Sequence, residues 1–120
     1  MKENVVREKS FAFALRVVKL AKFLQEEKRE FVLSKQVLRS GTAIGALVRE
    51  AEHAESKPDF AHKMNIALKE ANETLYWLDL LHQSGYFSDE SFESIRTASE
   101  ELVKLLVAIV KTTKAALHAA

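Results

Sequence analysis

Three glycines and one proline in 120 residues leave this chain few places to turn, and those few mark where it must. Between them apolar residues return every three or four positions, the spacing of one face of an α-helix. The expectation is an all-α chain, an antiparallel up-down-up-down four-helix bundle filling residues 1–120 as one domain.

The first helix is expected over 5–28. Phe11, Leu15, Val18 and Ala21/Lys22 follow one stripe, and Phe13, Val17, Leu20 and Leu24 fill a neighbouring one. The polar run 25–30 ends it. A second helix is expected over 34–54, with Ser34 as N-cap. The third, 58–84, has the plainest start: Ser56-Lys57-Pro58-Asp59 offers a capping serine, a proline in the first turn and an acid at the third position. Its seam reads Phe60, Met64, Ala67, Ala71, Thr74, Leu78 and Leu81, and Ser84-Gly85 stops it. Ser88-Asp89-Glu90 opens the fourth, 89–116, whose seam is Phe92, Ile95, Ser99, Leu102, Leu106, Ile109 and Thr113. Short connections make consecutive helices antiparallel neighbours.

The apolar residues exceed one seam per helix. Beside the stripes of helix one, Ile66, Trp77 and Leu80 lie off the seam of the third helix, and Val103, Val107 and Val110 off that of the fourth. A surface helix keeps one apolar stripe, so the excess points to a wide core or to self-association.

Several chemistries are excluded or weakened. Cysteine is absent, which removes disulfides and thiolate chemistry and fits a cytoplasmic protein. Residues 1–10, with Lys2, Glu3, Arg7, Glu8 and Lys9, hold no apolar run, so no signal peptide is expected there, and no run reaches the ~20 residues a membrane span needs. Eighteen basic residues against seventeen acidic give a net charge of +1, without the basic excess of a sequence-blind nucleic-acid binder.

Three histidines follow an acid by three residues: Glu50 and His53, Asp59 and His62, Asp79 and His82. That spacing puts both groups on one helix face, as in di-iron bundles. However, His62 and His82 are ~30 Å apart along one helix at 1.5 Å per residue, and helices one and four bring no matching inward glutamate, so no metal or other cofactor is expected. No G-x-S-x-G elbow or phosphate loop occurs, and no catalytic residue is assigned. Glu70 and Glu73, with Asp79 beyond them, form an acid–base pair on paper, yet acids beside Tyr76 and Trp77 are better read as partners of Arg39 and Arg49. The site expectation is thus a structural polar network of Arg39, Arg49, Glu70 and Glu73. Gly41 and Gly45, each costing ~1 kcal/mol within a helix, imply close approach of another helix, with Ala43 and Ala46 keeping that surface low. Lys104, Lys111, Lys114 and His118 line one side of the last helix, and Arg16, Lys19 and Lys22 group loosely on the first. A solvated face explains such rows, but a ring would repeat them into a larger basic patch.

The segment 39–51, Arg-Ser-Gly-Thr-Ala-Ile-Gly-Ala-Leu-Val-Arg-Glu-Ala, carries a resemblance, together with Lys9-Ser10, Phe11-Ala12, the runs 31–36 and 56–60, and 69–78, Lys-Glu-Ala-Asn-Glu-Thr-Leu-Tyr-Trp-Leu. Over nearly its whole length the chain resembles the bacterial four helix bundle protein family. This is also the intervening-sequence protein family of the large ribosomal RNA, and it is distantly similar to the accessory variability determinants of diversity-generating retroelements. The resemblance implies an antiparallel bundle, a homo-oligomer that is typically a pentameric barrel, and no known enzymatic activity. Some members are encoded inside intervening sequences of rRNA genes, and the retroelement relatives use a basic barrel to bind nucleic acid and a reverse transcriptase. The family's strongest motif positions correspond to Arg39, Ser40, Gly41, Gly45, Arg49, Glu50, Lys69, Glu70, Glu73 and Trp77. Ala43, Leu47 and Leu75 stand where members commonly carry polar residues, so a polar network or ligand depending on those groups would be altered here.

Three functional readings follow. The first is a non-enzymatic homo-oligomeric bundle that accompanies RNA or DNA as an accessory factor. The second is an assembly scaffold that recruits another protein without nucleic acid. The third is an enzyme with a carboxylate/His metal site, which the histidine spacing disfavours.

Overall fold

The computed structural model describes residues 2–118, with side chains from Val5 onward. It holds four helices: α1 (Lys2–Glu27), α2 (Leu33–Ala51), α3 (Lys57–Gln83) and α4 (Asp89–His118), joined by five-residue connections at 28–32, 52–56 and 84–88. At 1.5 Å per residue these helices run from ~29 to ~45 Å, and the molecule measures 52 × 22 × 21 Å.

The starts and stops are local chemistry. At α3 the extended Ser56 accepts the Asp59 amide at 3.1 Å, and the Asp59 carboxylate accepts the Glu55 amide in return at 3.1 Å. At the other end Gly85 takes φ +83°. Its amide bonds to the His82 carbonyl and that of Tyr86 to the Leu81 carbonyl, both at 3.0 Å, closing the helix as a Schellman turn. Ser88 caps α4 by accepting the Ser91 amide at 3.2 Å.

The start of α2 corrects the expectation. Ser34 is not the cap: the helix begins at Leu33, its N-cap Val32 makes no side-chain cap bond, and Ser34 is buried one residue further in. Glu30 takes the capping role, accepting the amides of Ser34 at 2.7 Å and Val32 at 3.3 Å. Arg29 sits at φ +54°, and that left-handed step brings the Glu30 carboxylate back beneath the positive end of α2. Gln25 and the Glu30 carbonyl hold the Ser34 hydroxyl in turn. At its far end α2 stops at Ala51 rather than 54, because the amides of Glu52, His53 and Ala54 tighten to carbonyls three residues back. The first helix also begins three residues earlier than expected, and α4 runs two residues further.

Cross-helix pairs establish the direction of each neighbour. Ser10 lies against Gly45 and Val17 against Gly41, while Gln25 reaches Ser34. Likewise Glu50 meets Lys63 while Ser40 meets Thr74, Asp79 meets Arg96 while His82 meets Asp89, and Lys9 meets Glu101 while Arg16 meets Ser94. In every pair one number rises as the other falls, so all four seams are antiparallel. Helices α1 and α3 stand diagonally across the bundle, as do α2 and α4.

In α3 and α4 the core follows the expected seams closely. Val6, Phe13, Val17 and Leu24 of α1 meet Val37, Ile44 and Val48 of α2, the α3 series Met64 to Leu81, and Phe92, Ile95, Leu102, Leu106 and Ile109 of α4. The seams differ at two ends: Ala61, one residue on, is buried where Phe60 was expected, and Val110, three residues back, is buried where Thr113 was. Leu47, apolar where polar was common, packs against this core.

Candidate functional site

A polar network crosses from α2 to α3 on the bundle surface. The half-exposed Arg39 guanidinium donates to Glu70 at 3.2 Å and to Glu73. The Trp77 indole N–H donates to the same Glu73 oxygen at 2.9 Å, so one carboxylate ties the arginine to the ring. Beneath it the buried hydroxyls of Ser40 and Thr74 lie 2.9 Å apart, and Thr74 donates to the Glu70 carbonyl at 2.7 Å. Arg39, Glu70 and Glu73 are therefore brought together.

Arg49 is not. It stacks over the Phe11 ring on α1, 5.0 Å from the centroid. Ten residues at ~100° per residue carry position 49 roughly a quarter-turn away from position 39, onto the α1 side of the helix. The other side at that height belongs to Glu50, which meets Lys63 of α3 at 3.7 Å. Sequence reading also left Trp77 and the Ser40–Thr74 pair out of the network. The signal was present: Trp77 follows Glu73 by four residues, and Ser40 and Thr74 adjoin Arg39 and Glu73.

The acids are engaged in ion pairs rather than paired with one another for proton transfer. Asp79 holds Arg96 at 2.9 and 3.4 Å, and Glu100 holds it at 2.8 Å. These hydrogen bonds, Asp79 foremost, raise the Arg96 pKa above its already high ordinary value. His82 lies 2.6 Å from Asp89 and stacks on Phe92 with 3.9 Å between centroids, whereas His53 and His62 are exposed and apart. Among the described residues no group of three His, Asp or Glu side chains is gathered as a metal ion would need. Lys104, Lys111, Lys114 and His118 are all exposed along α4.

The apolar excess is concentrated on one side. Among the described residues eight large hydrophobic side chains are exposed: seven lie in α1 and the connection after it, and the eighth is Tyr76 on α3. Phe11, Leu15 and Val18 form the outer stripe of α1, with Phe11 and Leu15 half exposed. The neighbouring stripe, Phe13, Val17 and Leu24, is the one in the core. Off-seam residues elsewhere are largely absorbed: Val110 is buried, and Trp77 and Val103 pack against the core.

Comparison with known proteins agrees with this picture. Residues 2–108 match the family model of the 23S rRNA-intervening sequence protein. Among solved structures, the chain is similar to a protein of unknown function from the S23 ribosomal protein family of Bacteroides thetaiotaomicron VPI-5482, determined at 1.70 Å resolution. The two share 59% identity over 92% of this chain and 99% of that one, with a TM-score of 0.91. No curated protein matches the chain.

Proposed function

The chain belongs to the 23S rRNA-intervening sequence protein family, and from that premise we propose that it works as a non-catalytic, homo-oligomeric helical-bundle protein. The outer stripe Phe11–Leu15–Val18 carries this reading. Three large apolar side chains at helical spacing on a surface helix are the mark of a covered face. Among the described residues the exposed large apolar residue outside the α1 region, Tyr76, belongs to the diagonally opposite helix. Unlike faces on opposite sides favour head-to-tail association, which closes into a ring when the rotation per subunit permits. A pentameric barrel is the closed form that the family resemblance implies.

The row Lys104, Lys111, Lys114 and His118 supports a second element, association with RNA or DNA. One chain is nearly neutral, but a ring repeats the row around its axis and raises the local positive potential. Light scattering with and without a mixed pool of short RNA and DNA tests both. The expected result is a mass of several chains, near five, that grows with nucleic acid and reverts in high salt. Leu15→Glu should reduce the mass to one chain while the helical circular dichroism remains. A parent protein that runs as a monomer would overturn the oligomer. An oligomer indifferent to nucleic acid would leave a scaffold that recruits another protein.

A further inference from the structure

The seam between α1 and α4 is strapped along one half and open along the other. Lys9 pairs with Glu101 across it, and Arg16 donates to the Ser94 hydroxyl at 2.8 Å and to its carbonyl at 3.4 Å. From Lys19 to the end of α1, no hydrogen bond or ion pair crosses the seam among the described residues. There a cleft of about 580 Å³ opens, and an adjoining hollow of about 270 Å³ shares Lys19, Leu20, Phe87 and Ser91 with it.

Its walls are of unlike chemistry. Leu20, Phe23, Tyr86 and Phe87 supply an apolar lining. Lys19 and Lys28 stand on the α1 side, with Lys28 5.8 Å from the centroid of the Phe23 ring. Neither ammonium has a carboxylate within 4 Å among the described residues. Across from them are Ser88 and Ser91 at the start of α4. The acid next to Ser88, Asp89, is 2.6 Å from His82 and does not line the cleft.

The lining is also held in place before any ligand arrives. The Schellman turn at Gly85 directs Tyr86 and Phe87 back over the bundle end. Phe87 is then braced edge-on by His82 and Phe92, with centroids at 6.2 and 5.8 Å. A preformed apolar pocket with a few converging polar groups is the usual form of a small-molecule site, and this volume lies in its ordinary range.

We infer that this cleft binds a small organic anion with an apolar body, an acyl or aryl group ending in a carboxylate or phosphate. The body lies on Leu20, Phe23 and Phe87, and the anionic end on Lys19 and Lys28, faced by the Ser91 hydroxyl. Two ammonium groups without carboxylates are matched by an oxyanion and not by a neutral ligand. A partner helix running along the seam would have to displace the Arg16–Ser94 and Lys9–Glu101 straps, whereas a small ligand enters between them and the α3–α4 connection. The cleft is on a different side of α1 from Phe11, Leu15 and Val18, so it does not depend on the proposed oligomer.

Calorimetric titration with decanoate and with decyl phosphate tests the site, with decanol and inorganic phosphate as controls. One saturable site per chain is expected for the two amphiphilic anions, about tenfold tighter than for decanol. Whichever of the two binds more tightly identifies the preferred headgroup. Lys19→Ala/Lys28→Ala should abolish the preference over decanol. Ser91→Trp should fill the cleft and abolish binding, with helical circular dichroism and solution mass unchanged. Without any variant, decanoate should shift the amide resonances of Leu20, Gly85 and Phe87 and leave those of Phe11 and Leu15 in place. Equal binding of decanol, competition by inorganic phosphate as strong as by decyl phosphate, or shifts centred on Phe11 would overturn the inference. So would a change of solution mass in Ser91→Trp, which would make the cleft a contact between subunits.

Discussion

Helix α1 meets its two neighbours in opposite ways. Towards α2 it sits as close as packing allows: a Cβ on Gly41 would stand 2.8 Å from both methyl carbons of Val17, and one on Gly45 would meet the Ser10 carbonyl at 3.4 Å. Towards α4 it is held by two surface straps and then parts to leave the cleft beside Phe87. Small residues permit close approach; large side chains at the mouth of a seam, and a turn that directs aromatics into it, keep helices apart. The same helix can therefore build a rigid joint on one side and a cavity on the other.

The sharpest way to break this contrast is to thicken the tight side. Gly41→Leu should drive side-chain atoms into Val17 and destabilise the fold by about 3 kcal/mol, the upper part of the usual overpacking range, read as a fall in denaturation midpoint. Val17→Ala in that background should recover part of the loss, because contacting sites do not add. If Gly41→Leu melted like the parent, the close approach would not exist.

The next effect is on the joint between α2 and α3. Glu73→Ala removes an acceptor shared by Arg39 and Trp77 and should cost about 1 kcal/mol, more than the ~0.5 kcal/mol of an ordinary surface change. Half-exposed Arg39 limits the figure, since solvent screens its charge. A thermal melt identical to the parent's would rule out a structural role for the network.

Two buried serines refine the comparison. Ser10, on the tight side, donates to the Arg7 carbonyl at 3.1 Å, whereas the buried Ser99 hydroxyl of α4 has no protein partner. Ser99→Ala should therefore be neutral or stabilising by up to about 1 kcal/mol in chemical denaturation, and Ser10→Ala should destabilise. The smallest effect is expected at the straps. Lys9→Ala should change stability by no more than about 0.5 kcal/mol, because both partners of its ion pair are about half exposed. A loss several times larger would mean that the straps, and not the core, hold the open seam together.

Much of this was legible in the residues, and the reasons can be named. The α3 start follows from Ser56, Pro58 and Asp59, and its end from Gly85, because capping is a negotiation among near neighbours. The start of α2 was misread because its cap comes from outside the helix: Glu30 acts only once Arg29 has taken a left-handed turn that no propensity assigns to arginine. Arg49 was grouped with Arg39 by chemistry alone, although helical angle already separates them. The tight seam was legible in Gly41 and Gly45, but not that its partners would be Val17 and Ser10.

The sequence by itself determined four helices, their order, the capped ends of α3, the start of α4 and nearly every buried position of those two helices, because helical periodicity and capping depend on residues three or four apart. Only the tertiary structure decided which of the two apolar stripes on α1 is covered, which acid meets which arginine, and where a seam stays open. Those outcomes depend on the rotation and separation of whole helices, set by the sum of side-chain volumes across the bundle, and no short stretch of sequence contains that sum.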